Sequence, residues 1–143
     1  MMVPAGIFWV NSKITSDKVS PETFTTWYDG EHVPDILRCK GMKSAYRYQS
    51  IDPSAERPYL LLYPVKDMGD LESPDFKSIP TTSDLFPGPT HRCFDYADFD
   101  TRHYELIDSY EKEGTRPGMS FRILIPSLFI LFLFTGAETD YSN

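Results

Sequence analysis

The chain has 143 residues, of which 41% are hydrophobic and 15% aromatic, and carries a formal net charge of −7. That length is enough for one domain with a real core. An acidic chain with no basic stripe has nothing to neutralise a phosphate backbone or an anionic membrane surface, so neither nucleic acid nor such a surface is an expected partner.

The first expected element is a strand in "AGIFWVNSKI", a short apolar run that turns polar at its end. A helix start follows in "SPETF": Ser20 suits the cap, Pro21 the first helical position, and Glu22 complements the dipole. Phe24, Trp27 and Tyr28 then fall on one helical face. Pro34 is expected to kink this helix or to begin a second, "PDILRCK", which Gly41 stops. In "MKSAYRYQSI" the residues alternate, placing Tyr46 and Tyr48 on one face and Arg47 on the other. "DPSAERP" reads as a turn, and "YLLLYPV" as a strand with Tyr59, Leu61 and Tyr63 on one side. "MGDLESPDFKSIP" is a weaker helix interrupted by Pro74, and "TTSDLFPGPTH" a loop. A fourth strand is expected from Cys93 to Asp100, followed by an extended arm.

The order β-α-β-β-α-β predicts an α+β fold of the ferredoxin-like kind, a four-stranded antiparallel sheet with two helices on one face. The other face is then bare, and its tyrosines and aliphatics call for a partner. A second sheet facing it closes a barrel, which makes a homodimer through the open face the expected assembly. The two cysteines, Cys39 and Cys93, fit no metal spacing and no disulfide framework. With no basic n-region at the start, a cytoplasmic protein is expected. The histidines His32, His91 and His103 show no ligand spacing, so no metal is expected, and no nucleotide-binding or serine-hydrolase motif is present.

The densest chemistry lies in "WYDGEHVPDIL", residues 27–37. Tyr28 and His32 are one helical turn apart, so their side chains can meet. His32, read as lying near a helix C-terminus beside Glu31 and Asp35, is expected to favour its charged form. Facing a cavity, it would be a general acid or base, with Tyr28 orienting a carbonyl or phenol and Asp29 tuning the charge. Trp27, Tyr46, Tyr48, Tyr59 and Tyr63 are candidates for an aromatic lining, and Arg47 for a substrate carboxylate. The structural alternatives are a capping histidine, ordinary cross-strand packing of the tyrosines, and a surface ion pair for Arg47.

"FTTWYDGEHVPDIL", "GMKSAYRYQSIDPSAERPYLLLYPV", "FKSIPTTSDLFPGP" and "FDYADFDTRHYELIDSYE" resemble fungal EthD-like proteins of the dimeric α+β barrel superfamily, over residues 4–118. The resemblance implies a barrel cavity for a small apolar or aromatic molecule. It also implies a cofactor-independent reaction of the decarboxylase, cyclase or lyase type, as in polyketide pathways. A non-catalytic binding or accessory role linked to oxidative metabolism is the alternative. Such fungal proteins usually hold two half-barrels in tandem, whereas one is legible here, in residues 1–117.

Residues 118–143 differ from the rest. "FRILIPSLFILFLFTG" falls short of the ~20 apolar residues of a spanning helix, which leaves it a marginal tail anchor and the protein a tail-anchored one. It also reads as a translated intron. Gly118-Met119-Ser120 can encode a fungal donor site, Thr139-Asp140 a branch point, and Tyr141-Ser142 an acceptor. The intron reading is the preferred expectation, and the segment is set apart from the fold.

Overall fold

The computed structural model describes residues 4–110, 112 and 113. The readings of residues 118–143 as an anchor or an intron lie outside the described residues. Among the described residues, no helix is long and apolar enough to cross a membrane.

Four strands, β1 (Gly6–Ile14), β2 (Tyr46–Gln49), β3 (Tyr59–Val65) and β4 (Ala97–Glu105), form one sheet in the order β2-β3-β1-β4. Every neighbouring pair is antiparallel. Helices α1 (Pro21–Trp27) and α2 (Val33–Arg38) connect β1 to β2, and α3 (Pro74–Lys77) lies between β3 and β4. The fold is the α+β, ferredoxin-like arrangement, its sheet covered on one side.

Local chemistry sets most of the boundaries. The Thr23 N–H donates to Ser20 Oγ at 3.1 Å, the expected cap of α1. Pro74 splits the second helical region into a 3₁₀ turn, Met68–Glu72, and α3, which Ser73 caps. Gly41 ends the first region at φ +82°, where a Cβ would run into Asp70. The fourth strand begins later than expected, at Ala97, and continues to Glu105. Cys93–Asp95 instead forms a 3₁₀ turn. The reason is register: β4 pairs with β1 along its whole length, from Ile14↔Ala97 to Gly6↔Glu105, so the polar residues expected in an arm are strand.

The two sheet faces differ sharply. Phe8, Val10 and Ser12 of β1 and Leu61, Tyr63 and Val65 of β3 are buried beneath the helices, packed with Phe24, Trp27, Ile36 and Met42. On the opposite face, Tyr46, Leu62, Trp9 and Arg102 stand in one cross-strand row, with Tyr48, Leu60, Asn11 and Asp100 in the next. The Arg102 guanidinium lies 5.0 Å above the Trp9 ring, a cation–π contact. Tyr48 and Tyr104 on this face are each nearly half exposed.

Between α1 and α2 the helix does not stay α. Tyr28–His32 is a π-helical turn, in which the Val33 N–H donates to the Tyr28 carbonyl five residues back. Pro34 supplies the cause. It has no N–H for the Gly30 carbonyl, and its ring would strike that carbonyl in an α-helix; widening the turn removes the clash.

Candidate functional site

A cavity of about 220 Å³ lies between the covered face of the sheet and the helical layer. Phe8, Val10 and Tyr63 form its floor, and Trp27, Tyr28 and His32 one wall. Phe76, Ile79, Phe94 and Phe99 enclose the rest, with Lys77 among the lining residues. This cavity lies on the covered face of the sheet, whereas the barrel cavity expected from the sequence would form on the open face, between two facing sheets.

The π turn builds the His32 seat. In an α-helix a residue five positions on is turned about 140° away. In the wider turn, His32 instead stacks on Trp27, with centroids 4.6 Å apart and planes 20° from parallel. Tyr28 meets the same imidazole edge-on at 5.5 Å. The two residues paired by helical spacing are therefore brought together, and both line the cavity.

His32 does not favour its charged form. Burial pushes its pKa down from 6.5 to about 4, against a smaller upward pull from the Pro80 carbonyl. This corrects the sequence expectation on three counts. The residue sits inside a continuous helical segment, not at its end. Asp29 pairs with Arg47 at 3.0 Å on the surface. Asp35 is engaged by Arg38. Two of the carboxylates expected to act on His32 thus face other cations.

A consequence is measurable. Above pH 6.5 the imidazole is neutral in folded and unfolded chains alike, and its effect on stability is constant. As pH falls, the unfolded chain binds the proton first, so stability is lost until the folded value near 4 is passed. Between pH 7 and 5 the loss is expected to be about 2 kcal/mol. Urea unfolding at both pH values checks this: His32→Phe should remove most of the difference, and an unchanged difference would refute it.

Three lining residues end in polar atoms that are buried with no hydrogen-bond partner, namely Tyr28 Oη, Tyr63 Oη and His32 Nδ1. Ser12 Oγ, wholly buried on the same sheet face, also lacks a partner in good geometry, but it neighbours the Tyr28 hydroxyl closely enough to pull the Tyr28 pKa down against burial. Burial raises the Tyr28 pKa, as does burial at Tyr63, with the neighbouring Tyr28 hydroxyl adding to the effect there. Both phenols therefore stay protonated. Cys93, another lining residue, is pushed up to about 11, chiefly by burial, and remains a thiol.

The other sequence candidates divide. Trp27 lines the cavity and is also core, at 1% exposure. Tyr59 is on the covered face but packs on Phe24 at 5.4 Å. Tyr46 and Tyr48 are on the open face, so the four strand tyrosines do not share one lining; the alternation within each strand was legible, but not which phase faced the helices. Asp29 and Arg47 meet each other away from the cavity. Sequence reasoning did not single out Cys93 and Phe94, which reach the cavity from the 3₁₀ turn before β4, or Phe99 and Thr101, which reach it from β4 itself. Among the described residues, no group of three His, Cys, Asp or Glu side chains is placed to hold a metal ion.

No family model matches the chain, and no solved structure does. The chain is similar to core atranone cluster (CAC) protein 1 of Stachybotrys chlorohalonatus (strain IBT 40285), with 30% identity over 105 residues. That alignment takes in 72% of this chain and 44% of the Stachybotrys protein, so the chain spans less than half the length of the curated relative it matches.

Proposed function

We propose that this chain is an EthD-like unit of fungal secondary metabolism, a cofactor-independent catalyst of proton transfer on a small aromatic or polyketide-like molecule. Ring closure and decarboxylation are the reactions in view. The observation that carries this reading is the set of unpartnered buried atoms, Tyr28 Oη, Tyr63 Oη and His32 Nδ1, on the walls of an otherwise apolar cavity. Buried polar groups are normally satisfied, and unmade hydrogen bonds are costly. These atoms face the cavity, and a ligand oxygen entering it would satisfy them. At about 220 Å³ the space is below the range for drug-sized ligands and fits a single ring with short substituents. The similarity to a core atranone cluster protein of a fungus supports the biosynthetic setting.

The chemistry follows from the protonation states. Neutral His32 accepts a proton from an activated carbon, and the electron pair moves onto the adjacent carbonyl oxygen. A tyrosine hydroxyl donates to that oxygen as charge develops. The enolate carbon then attacks a second carbonyl to close a ring, and the protonated His32 gives its proton to the new alkoxide, or the proton returns to carbon. Acetylacetone in heavy water offers the simplest test: exchange at its central carbon should exceed the buffer rate and vanish in His32→Ala. Exchange at the buffer rate would refute proton transfer.

A binding or accessory role is the second reading, favoured by one observation. A base with a pKa near 4 is poorly matched to neutral pH. Saturable binding without exchange would select it.

The open sheet face also enters the proposal. Trp9, Leu60, Leu62 and the exposed Tyr48 and Tyr104 form an apolar surface that a second copy of the sheet would cover. Residues 4–113 are expected to sediment as a dimer at micromolar concentration, and Trp9→Glu to yield monomers. A wild-type monomer at that concentration would refute the dimer.

A further inference from the structure

We infer that Tyr63 and Tyr28 together form a two-donor seat for one uncharged oxygen of the ligand, a ketone or a phenol, and that a carboxylate is refused there. This deepens the proposed function and rests on the cavity being the ligand site.

Tyr63 and Tyr28 come from different layers. Tyr63 rises from β3 in the sheet floor, and Tyr28 descends from the π turn. Both line the cavity and both are at most 2% exposed; the Tyr63 hydroxyl lacks a partner, and the Tyr28 hydroxyl has only the neighbouring Ser12 hydroxyl, outside good hydrogen-bond geometry. Tyr28 is near enough to Tyr63 to raise its pKa further. Two phenolic donors from opposite walls are suited to the two lone pairs of one carbonyl or phenol oxygen. Phe8 stacks on Tyr63 at 5.6 Å, and Phe24 meets Tyr28 edge-on at 5.0 Å, so neither ring is free to swing away.

The refusal of acids follows from the charges. Burying a carboxylate requires a paired cation. Among the described residues, Lys77 is the only Lys or Arg in the lining; its side chain is 59% exposed and is held by Glu72 at 2.6 Å. Arg47, outside the lining, is near enough to act on Tyr28, but it is paired with Asp29 at 3.0 Å. His32, stacked on Trp27, brings no charge to the deep wall near neutral pH. Two neutral donors without an unpaired cation solvate a ketone or phenol well and an ionised acid badly. An acid group on the same molecule would have to point outward, toward Lys77.

The test is binding, so it does not depend on turnover. Three probes of one shape are titrated by calorimetry at pH 7.5: meta-ethylphenol, ethylbenzene and meta-ethylbenzoate. The phenol is expected to bind about 10-fold more tightly than the hydrocarbon, the value of one or two neutral hydrogen bonds, and the benzoate more weakly than the phenol by at least as much. Tyr63→Phe should bring phenol and hydrocarbon to within about 3-fold while leaving hydrocarbon binding in place. Tyr28→Phe is the second variant, with the same expectation. Equal binding of phenol and hydrocarbon by wild type, preference for the benzoate, no binding of any probe, or a preference unchanged in both variants would overturn the inference. So would failure of both variants to fold, since that would give the hydroxyls structural partners. Failure of the proton-transfer reading looks different: acetylacetone exchange would stay at the buffer rate while the phenol preference persisted.

Discussion

Replacing His32 with Ala is expected to lower turnover of any compound that the wild type converts by about 10²- to 10⁴-fold, the usual contribution of a positioned general base. Among the described residues, the imidazole is the one group on the cavity wall that is both basic and unprotonated near neutral pH: Tyr28 and Tyr63 stay protonated, and Cys93 is pushed up to about 11. Its pH dependence is equally specific. With a free-protein pKa near 4, kcat/KM should be flat from pH 8 down through 6.5 and should decline only as pH approaches 4. An acidic limb centred near 6.5 would mean that the working base is not a buried His32. His32→Gln keeps a polar group of similar reach with no basicity. It should bind the phenol probe like the wild type yet share the loss of turnover, which separates catalysis from seat-building.

Trp27→Ala is expected to cost about 3–5 kcal/mol, the range for removing a buried aromatic. Trp27 is 1% exposed and touches rings on several sides, including Phe24, Tyr28, His32 and Phe86, the last at 5.0 Å. A domain of this size holds about 5–15 kcal/mol in total, so the loss removes much of its stability. Urea unfolding followed by far-ultraviolet circular dichroism measures it, since that signal does not depend on the deleted indole. A cost under about 1.5 kcal/mol would mean that the cavity wall collapses freely. Trp27→Phe preserves a ring under His32 and should be the milder change.

The architecture was legible because its signals are local. Ser20, Pro21 and Glu22 announce α1, Gly41 ends the helical region with a positive φ, and Pro74 breaks the second one where expected. Alternation in "YLLLYPV" separated Leu60 and Leu62 from Leu61 and Tyr63. What stayed hidden was relational. Strand periodicity has two phases, and nothing local says which one the helices cover, so Tyr46 and Tyr48 were grouped with Tyr59 although they stand on the other face. Asp29 lies three positions from His32, yet its partner is Arg47, on a strand that reaches it only in three dimensions. Spacing did find the Tyr28–His32 pair. It gave the wrong charge for His32, because desolvation depends on what packs above it.

The π turn at Tyr28–His32 can be regarded as an α-helix holding one residue too many. Gly30, with no neighbour within 4 Å of where a Cβ would stand, is the residue whose deletion the packing would notice least. Without it Trp27 and His32 would stand four positions apart and Tyr28 and His32 three, spacings at which an ordinary helix already brings side chains together. What the extra residue accommodates is Pro34, whose ring the unwidened turn would exclude. Within this helical layer a single-codon insertion can therefore enter without dispersing the stacked rings, and descendants of one gene can differ in length by a residue here while sharing both the fold and the pair.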